Sequence, residues 1–214
     1  MSISRWFLSS FLVVVLAGCQ SMYYGAMEKA GFHKRDIMID RVESAQEAQT
    51  DAKEQFESAL EQYQSIIKIQ DQDLAERYDK LNGEYEDSKA AAELVSERIN
   101  SVEDVSDALF DEWEDEIELY SNANLKRQSE AKLSQTKKQY QKLIKAMRSA
   151  EARMEPVLQV FQDQVLFLKH NLNARAIDSL QGELSNINTE VAQLIKEMEK
   201  SIAESEAFIS SLKN

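Results

Sequence analysis

From residue 34 onward the apolar residues recur at intervals of three and four almost without interruption, the spacing of helices that each bury one stripe. The first segment, over residues 34–69, carries Ile39, Val42, Ala45, Ala52, Phe56, Leu60, Tyr63 and Ile67 on that stripe. The second steps by four and three in strict alternation through Leu74, Tyr78, Leu81, Tyr85, Ser88, Ala92, Val95, Ile99 and Val102, then continues to Leu109, Trp113, Ile117 and Tyr120. In the third, over residues 125–171, Leu133, Tyr140, Met147, Met154, Phe161 and Leu168 fall seven apart, with Leu143, Ala150, Val157 and Gln164 interleaved. The fourth runs from Ile177 through Leu180, Leu184, Ile187, Val191, Leu194 and Met198 to Ile209 and Leu212. A repeat of 3.5 residues is the seam of a coiled coil. The pattern predicts an all-α protein, an elongated antiparallel bundle or coiled coil of about four long helices.

The expected breaks are short: residues 70–72, 121–124 and 171–173, each with Asn, Asp or Ser able to cap the helix that follows. Asp71 or Asp73 is the expected cap of the second segment and Asn124 that of the third. Pro156, the single proline, lacks a backbone donor, so a kink is expected near residues 153–156 in a helix that otherwise continues. Turns this short place sequential helices side by side, up and down, with the two longest forming a hairpin that projects a turn or two past its neighbours. The N-terminus then emerges at the same end as the hairpin tip.

Five glycines and one proline in 214 residues leave too little turn chemistry for a sheet protein. The net charge of −13 argues against nucleic-acid binding, which draws its affinity from Lys and Arg. That charge is unevenly placed. Residues 71–118 hold 18 acids against 4 bases, while residues 125–155 hold 9 bases against 3 acids. Opposite signs on consecutive helices predict that the two pair, with charge choosing partner and register more than adding stability.

Residues 1–19, MSISRWFLSSFLVVVLAGC, have one base at Arg5, an apolar run from Trp6 to Leu16, and then small residues. That is the layout of a secretory leader, too short to span a bilayer comfortably. Leu16, Ala17, Gly18 and Cys19 resemble a bacterial lipobox, and Cys19 is the only cysteine. The expected organisation is a lipoprotein signal peptide over 1–18, a lipidated N-terminus and linker over 19–33, and a helical domain over 34–214. Lipidation at Cys19 adds enough acyl chains for stable anchoring, which a single chain does not supply. Gln20 after the cysteine resembles the sorting pattern of enteric lipoproteins delivered to the outer membrane. The linker aromatics Tyr23, Tyr24 and Phe32 suit either the headgroup level or the end of the bundle.

Other site chemistry is sparse. Asp111, Glu112, Glu114, Asp115, Glu116 and Glu118 crowd around Trp113. Hard cations take such oxygens, but no ion-wrapping loop spacing is present, and a solvated face paired with Lys126, Arg127 and Lys132 is the stronger expectation. His33 and His170 have no second His or Cys at ligand spacing. His170 is expected near a helix end, where a cationic imidazole suits the dipole. No phosphate-binding, dinucleotide, zinc-protease or serine-nucleophile motif occurs, so no catalytic residue, metal, cofactor or small-molecule substrate is expected. Residues 150–177 are the most apolar of the mature chain, which fits either the centre of the bundle or a partner surface.

The lipobox at Cys19, the stretch RSAEARMEPVL (148–158) and above all DQVLFLKHNLNARAI (163–177) resemble a domain-of-unknown-function family of proteobacterial helical lipoproteins. The resemblance implies an exported coiled-coil lipoprotein and brings no activity, cofactor or catalytic residue. The expected role is non-enzymatic: an acyl-anchored rod on the outer membrane, facing the periplasm, that meets an envelope protein partner or a second copy of itself. The alternative is a membrane-surface or envelope-stress binder that uses its basic third helix.

Overall fold

The computed structural model describes residues 33–68, 73–171 and 174–213, with side chains described from residue 177 in the last stretch. Four helices follow one another: α1 (Lys34–Lys68), α2 (Leu74–Glu118), α3 (Ala123–His170) and α4 (Ala174–Lys213). At 1.5 Å per residue, the 45 residues of α2 and the 48 of α3 each run about 70 Å. Each helix packs on two others, α1 on α2 and α4, and α3 on α2 and α4, which closes an antiparallel four-helix bundle.

The core follows the heptad seams. Leu81, Val95, Ile99 and Val102 of α2 are buried, as are Leu143, Met147, Met154 and Phe161 of α3. From α4 come Leu180, Ile187, Val191, Leu194 and Met198. α1 adds Val42, Ala45, Ala52, Phe56 and Tyr63, together with Met38, Ala59 and Ile66, which the stripe drawn from sequence omits. α1 is the richest in buried alanine, and small side chains let neighbouring helices approach closely. Across the core, the rings of Tyr63 and Phe161 stand 6.4 Å apart. The Tyr63 hydroxyl donates to the Leu180 carbonyl at 2.8 Å, tying α1 to α4 inside the core. Burial, and then the nearby Glu183, push this phenol well above its ordinary range.

Register between α1 and α4 is constant along the rod. Gln46 donates to Glu206, Lys53 faces Glu199 at 3.6 Å, and Gln64 donates to Asn188, so each step along α1 is matched by an equal step back along α4. A constant register over eighteen residues means two helices with matched repeats and no local slip.

The described helix ends agree with expectation at Asp73 and depart from it around the α2–α3 turn, while the expected breaks at 70–72 and 172–173 lie outside the described residues. Asp73 caps α2, its carboxylate accepting from the Ala75 amide. The cap of α3 is Asn122 rather than Asn124: its Oδ1 accepts from the amides of Asn124 and Leu125, so Asn124 already lies inside the first turn. α2 correspondingly stops at Glu118, and Tyr120 lies beyond the helix instead of on its seam. α3 is unbroken through Pro156, which sits on the exposed side. Residues 1–32, with the expected leader, Cys19 and the linker aromatics, lie outside the described residues.

Candidate functional site

The end of the rod formed by the α2–α3 hairpin concentrates the unusual chemistry. Lys34, at the start of α1, pairs with Glu112 at 2.7 Å, and so marks the level at which α1 begins beside α2. α2 continues six residues past Glu112 to Glu118, about 9 Å. At the C-terminal end of the chain, Lys213 pairs with Glu43 at 3.0 Å. The N-terminal start of α1, the C-terminal end of α4 and the hairpin therefore share one end of the molecule.

The hairpin holds itself together through a small core of its own. Phe110, Ile117 and Leu133 are buried as a separate cluster, flanked by Trp113 and Tyr140. The Phe110 and Tyr140 rings meet edge to face at 5.4 Å. Trp113 donates its indole N–H to the Ser129 hydroxyl at 2.9 Å, which satisfies the one polar atom of a half-buried ring. Lys137 stands 5.3 Å from the centre of the Phe110 ring and bonds Glu114 at 2.6 Å.

The acidic run is answered in part by bases, though not by all those expected. Lys126 pairs with Glu118 at 2.9 Å, as the sequence suggests. The Glu118 hydrogen bond is the main cause that raises the Lys126 pKa. Glu114 takes Lys137 and Glu112 takes Lys34, in places where Arg127 and Lys132 were expected; these two point into solvent. The expectation took the bases nearest the turn in sequence, whereas helical phase leaves Arg127 and Lys132 exposed and turns Lys137 toward α2. Among the described residues no three His, Cys, Asp or Glu side chains converge as metal ligands. Between α2 and α3 lies an open groove of about 710 Å³, floored by Ile117 and Leu133 and rimmed by Glu114, Glu130, Lys137 and Lys138.

Further along the rod, Arg148 of α3 binds Glu103 of α2, Glu151 and Asn100. On the outer face of α3, Lys138, Lys142 and Lys145 form an exposed basic row at helical spacing. His33 precedes α1, and its carbonyl accepts from the amides of Asp36 and Ile37. His170 is the last residue of α3 and exposed, while the capping is done by Asn171, which bonds the carbonyls of Phe167 and Leu168.

Two groups of apolar side chains, one at each end of the rod, stand out from these polar surfaces. Of the stretch 150–177, Val157, Phe161, Val165 and Leu168 enter the core, but Leu166 and Phe167 remain exposed near the far end of the rod. At the hairpin, Leu119 is 82% exposed, and Tyr120 and Leu125 are about half exposed. The seam pattern hid two of these three, because it put Tyr120 on a stripe and Leu125 at a helix start, while Leu119 falls on no stripe. The available signal was their position around a turn, where polar residues are the rule.

A protein family described as "Protein of unknown function (DUF2959)" matches residues 23–212. The chain belongs to that family. The match spans the four helices and the hairpin, short of Lys213 alone. No curated protein matches the chain, and no solved structure does. No helix of the described residues is long and apolar enough to cross a membrane.

Proposed function

We propose that the chain is an envelope lipoprotein, anchored through acyl chains on Cys19, whose helical rod is a non-enzymatic scaffold for protein interaction. The observation that carries this reading is the polarity of the rod. The segment bearing the lipobox-like Cys19 joins the bundle at the hairpin end, beside Glu112, and the exposed Leu166 and Phe167 lie near the opposite end. A rod about 70 Å long held at one end presents the other far from its point of attachment. The apolar pair there supplies the desolvated contact that a protein partner, or a second copy, needs at the centre of an interface. The leader and Gln20 support delivery to the outer membrane, with the rod on the periplasmic side.

In-cell crosslinking from position 167 followed by mass spectrometry tests the reading. The expected result is a reproducible adduct with one envelope protein or with a second copy. Recovery of monomer alone from a membrane-bound chain would count against the scaffold role. Release of a Cys19→Ser variant from the membrane fraction checks the anchor separately.

A second reading, side-on binding to an anionic membrane surface, is favoured by the exposed basic row Lys138, Lys142 and Lys145. Its attraction is electrostatic, so it falls steeply between low and physiological salt. Flotation with anionic vesicles at two salt concentrations discriminates, since the scaffold reading predicts no binding through this face.

A further inference from the structure

We infer that the α2–α3 hairpin tip is a second membrane contact, with Leu119, Tyr120 and Leu125 dipping into the interface of the bilayer that carries the anchor. The inference rests on the anchoring reading at Cys19. Leu119 is 82% exposed at the extreme end of the molecule, and Tyr120 and Leu125 flank it across a turn of four residues. A tight turn capped by Asn122 holds these side chains outward on a rigid hairpin braced by Phe110, Ile117 and Leu133. Burying a leucine in lipid needs no partner fold, and tyrosine is favoured where one end of a ring is apolar and the other wet.

The position of the chain's N-terminal part selects lipid over a protein as the occupant. Fourteen residues, 20–33, separate Cys19 from Lys34. They span at most about 50 Å, and Lys34 sits beside Glu112, only about 9 Å short of the end of α2. An anchor in the bilayer therefore brings the tip within reach of the same surface without stretching the linker. Charge agrees. Around the tip Lys126 and Glu118 pair at 2.9 Å, and the exposed Asp115, Glu116 and Glu130 outweigh the exposed Arg127 and Lys132, so no net positive charge draws the tip to anionic lipid and salt does not weaken the apolar contact. The basic row farther along α3 would give the opposite salt response.

The test uses the full chain extracted from membranes and reconstituted in phosphatidylethanolamine–phosphatidylglycerol vesicles. A thiol-reactive environment-sensitive dye is placed at Leu119→Cys, at Leu125→Cys, and at Lys142→Cys on the rod. The wild type is labelled in parallel, since an acylated Cys19 takes up no dye. Expected are blue-shifted emission at 119 and 125, quenched by at least about half by lipid bearing a quencher near the headgroup, and aqueous emission at 142. High salt does not weaken the signals at 119 and 125. Aqueous emission at both tip positions, in a chain whose Cys19 takes up no dye, overturns the tip contact alone. Dye uptake at Cys19 in the wild type overturns the anchoring reading and the tip contact with it. Leu119 is so exposed that its replacement leaves the fold intact, which circular dichroism verifies, and the second position guards against a local effect at the first.

Discussion

Arg148 of α3 grips both carboxylate oxygens of Glu103 on α2: Nε donates to Oε1 at 3.2 Å and a terminal nitrogen donates to Oε2. The same guanidinium reaches Glu151 one turn away and Asn100 at 2.7 Å. A fork-to-fork pair has geometric specificity that a single surface ion pair lacks. It is the point where the opposite charges of the two longest helices are joined most completely. The hydrogen bond to Glu103 is the chief cause holding Arg148 well above its ordinary range, ahead of Glu151. A raised basic group contributes stability below its unfolded pKa and loses it only as pH rises through the folded one. Arg148 therefore stays charged over the whole range in which the bundle is handled.

Replacing Arg148 by Ala is expected to cost about 1–2 kcal/mol, the upper end for a pair about a third exposed, because four hydrogen bonds go at once. Arg148→Lys loses most of that, since an ammonium cannot match the fork. Urea denaturation of the single and double variants with Glu103→Ala gives the coupling energy. A coupling indistinguishable from zero would mean that the pair sets register without stabilising.

Asp107 runs the other way. Partial burial, then the neighbouring Asp111, Asp104 and Glu103, push its carboxyl above the ordinary value. The folded state thus binds this proton more tightly than the unfolded chain does. The repulsion is fully present above the raised pKa and is relieved as pH falls toward the ordinary carboxylate range. Asp107→Asn is expected to stabilise by a few tenths of a kcal/mol at pH 7, as suits a solvent-screened group, and by nothing near pH 3. Thermal melts across that range check the sign, and a benefit that grows toward acid would contradict it.

Gln49 lies fully buried in α1, and neither polar atom of its amide has a hydrogen-bond partner among the described residues. The Gln46–Glu206 and Lys53–Glu199 pairs bracket it, which places it at the level of Ser201 and Ser205 on α4, both buried. A polar layer in an otherwise apolar seam lowers stability and fixes register. Gln49→Leu is expected to raise stability by about 1–2 kcal/mol, or roughly 2–4 °C in Tm for each kcal/mol in a chain of this size. Calorimetry reads the gain, and analytical ultracentrifugation shows whether the apolar seam then admits a second chain.

The seams of α2, α3 and α4 were legible because seven-residue repeats tolerate little else: Leu133, Met147, Met154, Phe161 and Leu168 are all buried where their spacing puts them. α1 was less legible, since Ala48, Gln49 and Ala59 bury without apolar bulk and leave no strong stripe. The pairing of α2 with α3 showed in net charge, but the individual partners did not, because Lys137 and Lys34 reach the acidic run through helical phase and tertiary placement. The exposed tip was hidden in part for a related reason. Tyr120 fits the helical period of α2 and only the end of that helix at Glu118 takes it off, Leu119 falls on no stripe, and Leu125 lies on the exposed side of the first turn of α3.

Those ends hinge on one residue. Asn122 accepts from two amides of the first turn of α3, at 2.9 and 3.2 Å, whereas Asn124 is exposed within that turn. Two asparagines two residues apart look alike in sequence and differ completely in what their removal exposes. Asn122→Ala leaves two N–H groups to solvent and costs about 1 kcal/mol. Asn124→Ala trades a poor helix former for the best one, and so is neutral or gains a few tenths. Hydrogen exchange of the amides of residues 124–126 resolves the difference where a global melt would blur it. Asn122→Ala is expected to speed their exchange roughly fivefold, the equivalent of about 1 kcal/mol. If Asn124→Ala does so instead, the first turn of α3 begins two residues later and Leu125 is drawn back toward the helix start.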